Sequence, residues 1–228
     1  MATSRTVPKV FSFYEVFHVG ALTQKLRKPK RRSSSYEGPG LSVSLTPVAW
    51  EQIARLGGQN LWVVFRRDEQ QQGHFVDLTG KKVHQFAPRA VALGLVVAAP
   101  VFRVWTTNED GEREFFEFTS EAEAEAEAEA NVDDNNEIEV VQGFRPTAKL
   151  QKLWARDFSS KTIPDVLTVA VLYALDMESE YDGAWWDERL DVERLSAPRG
   201  VIFPSKLHEW EARKVDWSEA PDAVDTWT

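Results

Sequence analysis

The sequence of 228 residues predicts a single α+β domain built on a mostly antiparallel sheet. Short apolar or alternating stretches, which are typical of strands, outnumber the stretches that are typical of helices. These strands are not separated by regular helices, as they would be in a doubly wound parallel sheet. A hydrophobic content of 43% with 11% aromatic residues indicates a chain that folds around one core.

We expect this domain to span residues 10–217, with flexible tails at residues 1–9 and 218–228. An acidic insertion at residues 119–136 is predicted to be disordered, because the repeat at residues 121–130 places a glutamate at every second position. Like charges four residues apart weaken a helix, and the repeat has no large apolar side chain to pack. The repeat could serve as an acidic decoy for a basic partner, but a solvated loop is the simpler interpretation.

Composition excludes several classes of protein. The net charge of −9 and the pI near 5.1 argue against a protein that binds nucleic acid over its whole surface. The absence of cysteine excludes disulfides, thiolate metal sites and a cysteine nucleophile. The N-terminus does not read as a signal peptide, and the longest apolar run, residues 90–102, is shorter than the ~18 residues of a membrane span. We therefore expect a cytoplasmic protein.

The N-terminal third predicts three strands and one helix. Residues 10–18 read as an aromatic strand, and residues 61–65 as a buried strand. Residues 41–45 alternate, so that Ser42 and Ser44 lie on one polar face of a strand. Thr46 as N-cap and Pro47 at the first helical position then begin a helix that has Trp50 on its apolar face.

The rest of the chain predicts further strands, two longer helices and one short helix. Strands are expected at residues 73–78 and 91–105 (one or two strands, broken at Pro100), with a strand pair at residues 114–118 and 137–141. Residues 180–186 predict a turn that leads into a short strand, and residues 196–204 predict a loop followed by a second strand. Thr147 and Asp165 are suited to cap the two longer helices, of which the second is apolar on nearly all sides. Residues 206–213 predict the short helix.

Known catalytic motifs are absent, including the P-loop, the dinucleotide-binding glycine motif and the zinc-protease motif. The four histidines show no spacing that is typical of metal ligands. His18 is the most suggestive of them, because it closes an aromatic strand and precedes Val19-Gly20. Taken alone, it is best interpreted as a structural histidine.

The strand that ends in His-Val-Gly at residues 18–20, followed by Gly-Leu-Ser-Val-Ser-Leu-Thr-Pro at residues 40–47, resembles the first half of the ADP-ribosyltransferase fold, histidine type. The resemblance implies a split sheet in which a histidine contacts the nicotinamide ribose of NAD and the next strand lines the nicotinamide pocket. It assigns that pocket to His18, Ser42 and Ser44. It also offers Tyr36 for stacking on the ring, and it places the basic loop at residues 25–32, including Arg31 and Arg32, near the pyrophosphate.

The segments Tyr-Asp-Gly-Ala-Trp-Trp at residues 181–186 and Gly-Val-Ile-Phe-Pro at residues 200–204 resemble the closing strands of the same family. The family's catalytic glutamate, which stabilises the oxocarbenium-like state, should stand near Arg199, but residues 196–200 contain no acid. Three interpretations remain open. Asp187 or Glu188 supplies the carboxylate, Arg199 marks a site for another phosphorylated ligand, or the domain is an inactive copy.

The resemblance covers residues 10–65 and 180–210. It implies an ADP-ribosyltransferase or NAD glycohydrolase, of the kind found among toxins and host-modifying factors, with NAD as substrate, a protein as its acceptor and no metal. The alternative is an inactive interaction module that binds a partner through tryptophan-rich and charged surface segments. The missing glutamate and the acidic insertion favour this alternative, whereas the arrangement of His18 with the strand that carries Ser42 and Ser44 favours the enzyme.

Overall fold

The computed structural model describes residues 7–22, 26, 38–53, 58–107, 113–118, 120–130, 137–188 and 197–221. Three predicted ligand-binding residues, Tyr36, Arg31 and Arg32, lie outside the described residues. The basic loop at residues 25–32 also lies outside them, apart from Leu26.

The described residues form eleven strands and five α-helices, which confirms the predicted α+β class. The strands are β1 Val10–Phe13, β2 Glu15–Val19, β3 Leu41–Ser44, β4 Leu61–Arg66, β5 Gly73–Asp77, β6 Val96–Thr107, β7 Arg113–Phe118, β8 Glu137–Pro146, β9 Gly183–Trp186, β10 Arg199–Ile202 and β11 Trp210–Val215. The helices are α1 Pro47–Ile53, α2 Ala87–Ala92, α3 Glu121–Ala130, α4 Ala148–Asp157 and α5 Val166–Glu178, with short 3₁₀ helices at Gly80–Phe86, Leu207–Glu209 and Trp217–Glu219.

Eight strands form one large sheet in the order β1-β5-β9-β10-β3-β2-β4-β11, and β7-β6-β8 form a separate sheet of three. Every pairing is antiparallel except that of β5 with β9. The prediction of a mostly antiparallel sheet is therefore confirmed. Because β10 pairs with both β9 and β3, the C-terminal strands lie directly beside the N-terminal ones.

The large sheet is curled around an aromatic core. Phe75 on β5 lies 6.0 Å from Trp185 on β9 and 5.9 Å from Trp210 on β11, measured between ring centroids. Since β5 and β11 lie near opposite ends of the strand order, this contact requires the sheet to curl back on itself. We call the face that carries these three rings the inner face.

The outer face of the same sheet packs against helices. Trp186 and Val201 share a core with α5, whose residues from Leu167 to Leu175 are all buried. This burial explains why α5 is apolar on every side. The caps predicted for the two longer helices are confirmed, since Asp165 accepts a hydrogen bond from the Thr168 N–H at 3.0 Å and Thr147 accepts one from the Leu150 N–H at 3.4 Å.

A buried ion pair ties the two ends of the curled sheet together. Arg66, the last residue of β4, pairs with Asp182, which directly precedes β9. Asp182 also accepts a hydrogen bond from the His74 N–H at 2.8 Å. The next residue must be glycine, because a Cβ at Gly183 would lie 2.0 Å from the carbonyl oxygen of Val201.

Several predicted elements differ from the structure. The strand predicted at residues 10–18 divides at Tyr14 into β1 and β2, which pair with different neighbours. The helix predicted at residues 206–213 is instead a 3₁₀ turn followed by β11. In β11, Trp210 and Ala212 are buried while Glu211 and Arg213 are exposed, which is the alternation of a strand.

The second sheet also differs from its prediction. The two segments predicted to pair with each other, now β7 and β8, each pair with β6 instead. The strand that was expected to break at Pro100 runs through it. Because β7 pairs with β6 only from Phe102 onward, Pro100 lies where β8 is the one paired neighbour.

The predicted disorder of residues 119–136 is wrong for the glutamate repeat, which forms α3. Ser120 caps this helix by accepting a hydrogen bond from the Glu123 N–H at 3.2 Å. Ala124 is fully buried, and α3 contacts all three strands of the small sheet. These tertiary contacts supply the stabilisation that the isolated repeat lacks. At the other end of the chain, the tail predicted from residue 218 begins inside the turn Trp217–Glu219, which Asp216 caps.

Candidate functional site

Four of the predicted site residues lie where several central strands of the large sheet begin or end. We call this row of strand ends the edge of the site, and the four residues lie on the outer face there or directly beyond it. β5, β9 and β3 end at this edge, and β10 begins there. Arg199, the first residue of β10, pairs with Ser44 on one side and with Trp186 on the other. Glu188 follows β9 by two residues, and Ser42 lies further along β3. Cross-strand register thus joins residues that are far apart in the sequence.

The centre of this site is an ion pair between the guanidinium of Arg199 and the carboxylate of Glu188. The Arg199 side chain is 19% exposed and that of Glu188 is 30% exposed, so both remain accessible from solvent. The Arg199 guanidinium lies 5.7 Å from the ring centroid of Trp186 and 5.9 Å from that of Trp50. Two indoles therefore flank the pair at cation–π distance.

Ser44 lies on the predicted face of β3, but its hydroxyl is buried and engaged. The hydroxyl donates to the carbonyl oxygen of Pro198 at 2.9 Å and accepts from the Thr46 N–H at 3.0 Å. These bonds fix the residue before Arg199 and the residue before α1. The expectation that Ser44 contacts a ribose is corrected, because its hydroxyl holds the frame of the site.

Ser42 pairs with Val201 on the same outer face and is partly buried. Its backbone carbonyl accepts a hydrogen bond from His18 Nδ1 at 2.7 Å. A carbonyl oxygen can only accept, so Nδ1 carries the proton in this arrangement. The imidazole therefore contacts the backbone of β3 and not the serine hydroxyl.

The side chain of His18 lies on the inner face, opposite the two serines. His18 pairs with Trp62, and Trp62 packs with Val16 and Val64 in the inner core. A Cβ at Gly20 would lie 2.7 Å from His18 Nε2, so the His18 imidazole packs directly against Gly20. The predicted constellation of His18 with the serine hydroxyls is wrong, because the sheet separates them.

The two adjacent candidate acids, Asp187 and Glu188, contact different residues. The Asp187 N–H donates to Thr79 Oγ1 at 2.7 Å, and its carboxylate lies 3.3 Å from Lys9 Nζ. Glu188 turns instead toward Arg199. Of the two acids, Glu188 is the one that belongs to the site.

A buried carboxylate that the sequence analysis missed lies at the end of β5. Asp77 is fully buried and contacts Lys82 Nζ at 2.6 Å and the Thr79 N–H at 2.9 Å. Burial alone would raise the pKa of Asp77, but the hydrogen bonds from Lys82 and Thr79 outweigh it and hold the pKa below its ordinary value. The available signal was an acid that ends a strand, with a lysine five residues later.

The arrangement limits the chemistry of the site. Across the ranges that the structure describes, no group of three or more acidic or histidine side chains is placed to hold a metal ion. In the same ranges, no helix combines the length and the apolar character that a membrane span requires. What the site does offer is a carboxylate, a guanidinium and the partly buried indole of Trp50, which suit a polar ligand with an aromatic ring.

Fold and site together define an α+β protein with a curled sheet and an accessible Arg–Glu pair at one strand edge. No protein-family model, no curated protein and no solved structure matches this chain. The function therefore has to be inferred from the residues of the site.

Proposed function

We propose that this protein binds NAD or a closely related nucleotide at the Arg199–Glu188 site and cleaves its glycosidic bond to nicotinamide. It would act as an ADP-ribosyltransferase or an NAD glycohydrolase. The observation that carries the proposal is the meeting of one carboxylate, one guanidinium and the indole of Trp50 where β9 ends and β10 and α1 begin. Each matches a part of NAD: the ribose, the pyrophosphate and the aromatic rings.

The order of the strands supports the proposal. The N-terminal motifs that resemble the ADP-ribosyltransferases lie on β2 and β3, and the C-terminal motifs lie on β9 and β10. These four strands are neighbours in the order β9-β10-β3-β2. The two halves of the resemblance therefore meet in space, as one nucleotide cleft would require.

Glu188 is the proposed catalytic carboxylate. It accepts a hydrogen bond from the ribose 2′-hydroxyl and stabilises the positive charge that develops as the bond between C1′ and nicotinamide breaks. The bonding electrons leave with the nicotinamide nitrogen. Water or an acceptor nucleophile then bonds to C1′ and loses a proton, which completes hydrolysis or transfer.

Arg199 has a second role in this proposal, because it holds Glu188 before the nucleotide binds. A pyrophosphate offers several oxygens to the guanidinium, and its binding would release the carboxylate toward the ribose. Trp50, which is partly buried, lies close enough to Arg199 to stack on a base or on nicotinamide, whereas Trp186 is 7% exposed and packs behind Arg199 in the core.

Three of the other predicted residues, His18, Ser44 and Asp187, take structural roles in this proposal. His18 holds the backbone of β3 at Ser42, and Ser44 holds Pro198 beside Arg199. Asp187 holds β9 against Thr79. Ser42 is the one serine whose hydroxyl we assign to ribose contact.

Nicotinamide release from NAD tests the proposal directly. The purified chain is compared with Glu188→Gln and with Asp187→Asn, a matched control that removes the adjacent carboxylate without touching Arg199. We expect Glu188→Gln to slow nicotinamide release at least ~100-fold, because it removes the charge that stabilises the transition state. The control should stay within a few-fold of the unsubstituted chain.

Two results would count against the proposal. If the unsubstituted chain neither binds NAD in calorimetry nor releases nicotinamide, the site is not an NAD site. If it releases nicotinamide and Glu188→Gln does so equally fast, Glu188 is not the catalytic acid. Binding without release would restrict the function to nucleotide binding.

The resemblance also supports a role in modifying other proteins. Incubation with biotin-labelled NAD and a cell extract would show labelled acceptor proteins if the activity is transfer. Release of nicotinamide without labelled protein would indicate hydrolysis. The same Glu188→Gln variant serves as the control in both cases.

A further inference from the structure

The negative charge of the chain is concentrated in one region. Residues 101–146 contain fourteen of the 36 acidic residues and three of the 27 basic ones. This region has a net charge of −11, whereas the rest of the chain is +2. It comprises most of β6, together with β7, α3, β8 and the segments between them, which carry five of the fourteen acidic residues. The small sheet and its helix are therefore an acidic unit on an otherwise nearly neutral protein.

One face of this sheet is apolar. The cross-strand register aligns apolar residues in two rows of three, namely Phe116–Val104–Ile138 and Phe118–Phe102–Val140. Val104 in the centre is buried, but Phe116 is 47% exposed, Ile138 36% and Val140 61%. We call these six residues the apolar face. Exposed apolar side chains clustered in this way mark interaction sites on soluble proteins.

On the opposite face of the sheet, charged and aromatic side chains contact one another. Arg103 Nε forms an ion pair with the Glu117 carboxylate at 2.7 Å, and the Arg103 guanidinium lies 4.5 Å from the ring centroid of Phe115. Trp105 packs edge-on against the same Phe115 ring and donates its indole N–H to Glu139 at 3.2 Å. Arg103, Trp105, Phe115, Glu117 and Glu139 of that face thus contact one another, although Phe115 is still 43% exposed.

The helix α3 places negative charge next to this sheet without covering its apolar rim. Among the side chains of α3, Ala124 alone is fully buried, and the glutamates at positions 121, 123, 125 and 129 are exposed. Alanine is too small to cover Phe116, Ile138 or Val140. Apolar anchors and exposed carboxylates thus occur together on one small unit.

We propose that the apolar face and α3 bind a basic, amphipathic segment of a partner protein. Lysines and arginines of the partner would meet the glutamates of α3, and its apolar side chains would cover Phe116, Ile138 and Val140. A nucleic acid or an anionic membrane is disfavoured because its phosphates would be repelled. A second copy of this chain is disfavoured because it would bring another charge of −11 against the first.

Fluorescence anisotropy with the full chain tests this binding. The probe is a labelled peptide of about 14 residues, with leucines on one helical face and lysines on the other. A control peptide keeps the lysines and replaces the leucines with serines. We expect the lysine–leucine peptide to bind at least ~10-fold more tightly than the control peptide. We also expect its affinity to fall as the salt concentration rises from about 0.05 to 0.3 M.

Substitutions on the apolar face locate the site. The double variant Phe116→Ser with Val140→Ser should weaken peptide binding about tenfold, because these exposed side chains are the proposed anchors. The matched control is Met177→Ser on α5, which is 44% exposed and lies outside the small sheet. Circular dichroism spectra that match the unsubstituted chain show that the double variant is folded.

Four outcomes would overturn the proposal: no binding of the lysine–leucine peptide, equal binding of both peptides, equal binding by the double variant, or equal weakening by Met177→Ser. Sedimentation of the chain as a dimer that Phe116→Ser dissociates would also overturn it, because a second copy would then occupy the face. The experiment does not involve NAD, so its result is independent of the activity proposed for Arg199 and Glu188.

Discussion

Replacement of Asp182 by alanine should destabilise the fold more than any exposed charge substitution. Asp182 is 7% exposed, and its carboxylate binds the Arg66 guanidinium and the His74 N–H. Removing one partner of a buried ion pair leaves the other charge without compensation, at a cost of about 3–5 kcal/mol. Arg66 keeps Glu209 at 2.9 Å, so we expect a loss near the lower end, about 3 kcal/mol.

The asparagine variant separates the charge from the hydrogen bonds. Asp182→Asn removes the negative charge but keeps one oxygen, which can accept a hydrogen bond from Arg66 or from the His74 N–H. Hydrogen bonds to charged groups contribute about 1.5–3 kcal/mol, so this variant should lose about 2 kcal/mol. The order of stability should be Asp182, then asparagine, then alanine.

Urea unfolding measures these differences. With a slope of about 3 kcal/mol per molar urea, a loss of 3 kcal/mol lowers the midpoint by about 1 M. The control is Glu211→Ala, which breaks the ion pair of Glu211 with Arg67 (3.2 Å, both side chains about half exposed). That pair also joins β4 to β11, but screening by solvent should keep its cost below about 1 kcal/mol. If Asp182→Ala lowers the midpoint no more than Glu211→Ala, the ion pair does not hold the curled sheet together.

Two further predictions concern Asp77 and His18. The folded pKa of Asp77 lies below its ordinary value of 3.8, so its stabilisation is present above that pH and is lost as the pH falls through the folded value. Asp77→Asn should therefore be less stable at pH 7 but lose less stability on acidification below about pH 4, as measured by urea unfolding; parallel pH curves for the two proteins would contradict this. His18→Ala should lower the unfolding free energy by about 1 kcal/mol through the lost bond to Ser42, yet leave nicotinamide release within about tenfold. If His18→Ala lost nicotinamide release but kept its stability, His18 would instead be a catalytic residue.

The local elements were predictable from the sequence where one signal was strong. The alternation of Ser42 and Ser44 with apolar residues defined β3, and Pro47 marked the start of α1. Asp165 and an unbroken apolar stretch defined α5. Each of these signals acts within a few residues, so no knowledge of strand pairing was needed.

The site could not be predicted in the same way, because it depends on register between distant strands. The resemblance implied that His18 and the two serines line one pocket, and the strands that carry them, β2 and β3, do pair with each other. Whether their side chains share a face depends on the alignment of β2 and β3, because a shift of one residue moves every side chain of a strand to the other face of the sheet. His18 aligns with Trp62 of the inner face, whereas Ser42 aligns with Val201 of the outer face. No periodicity within either segment carries that information.

The same dependence on register explains how, in the proposed function, an acid can serve the site although Arg199 stands near the position where the resemblance expects glutamate. Trp186 and Arg199 are cross-strand partners, so the chain that leaves β9 passes directly beside the start of β10. An acid two residues beyond Trp186 therefore reaches the Arg199 guanidinium. The carboxylate enters from the neighbouring strand, and the arginine that occupies the expected position becomes the group that holds it. In the proposed function, the acid that the linear motif lacks is thus supplied by the residues that follow β9.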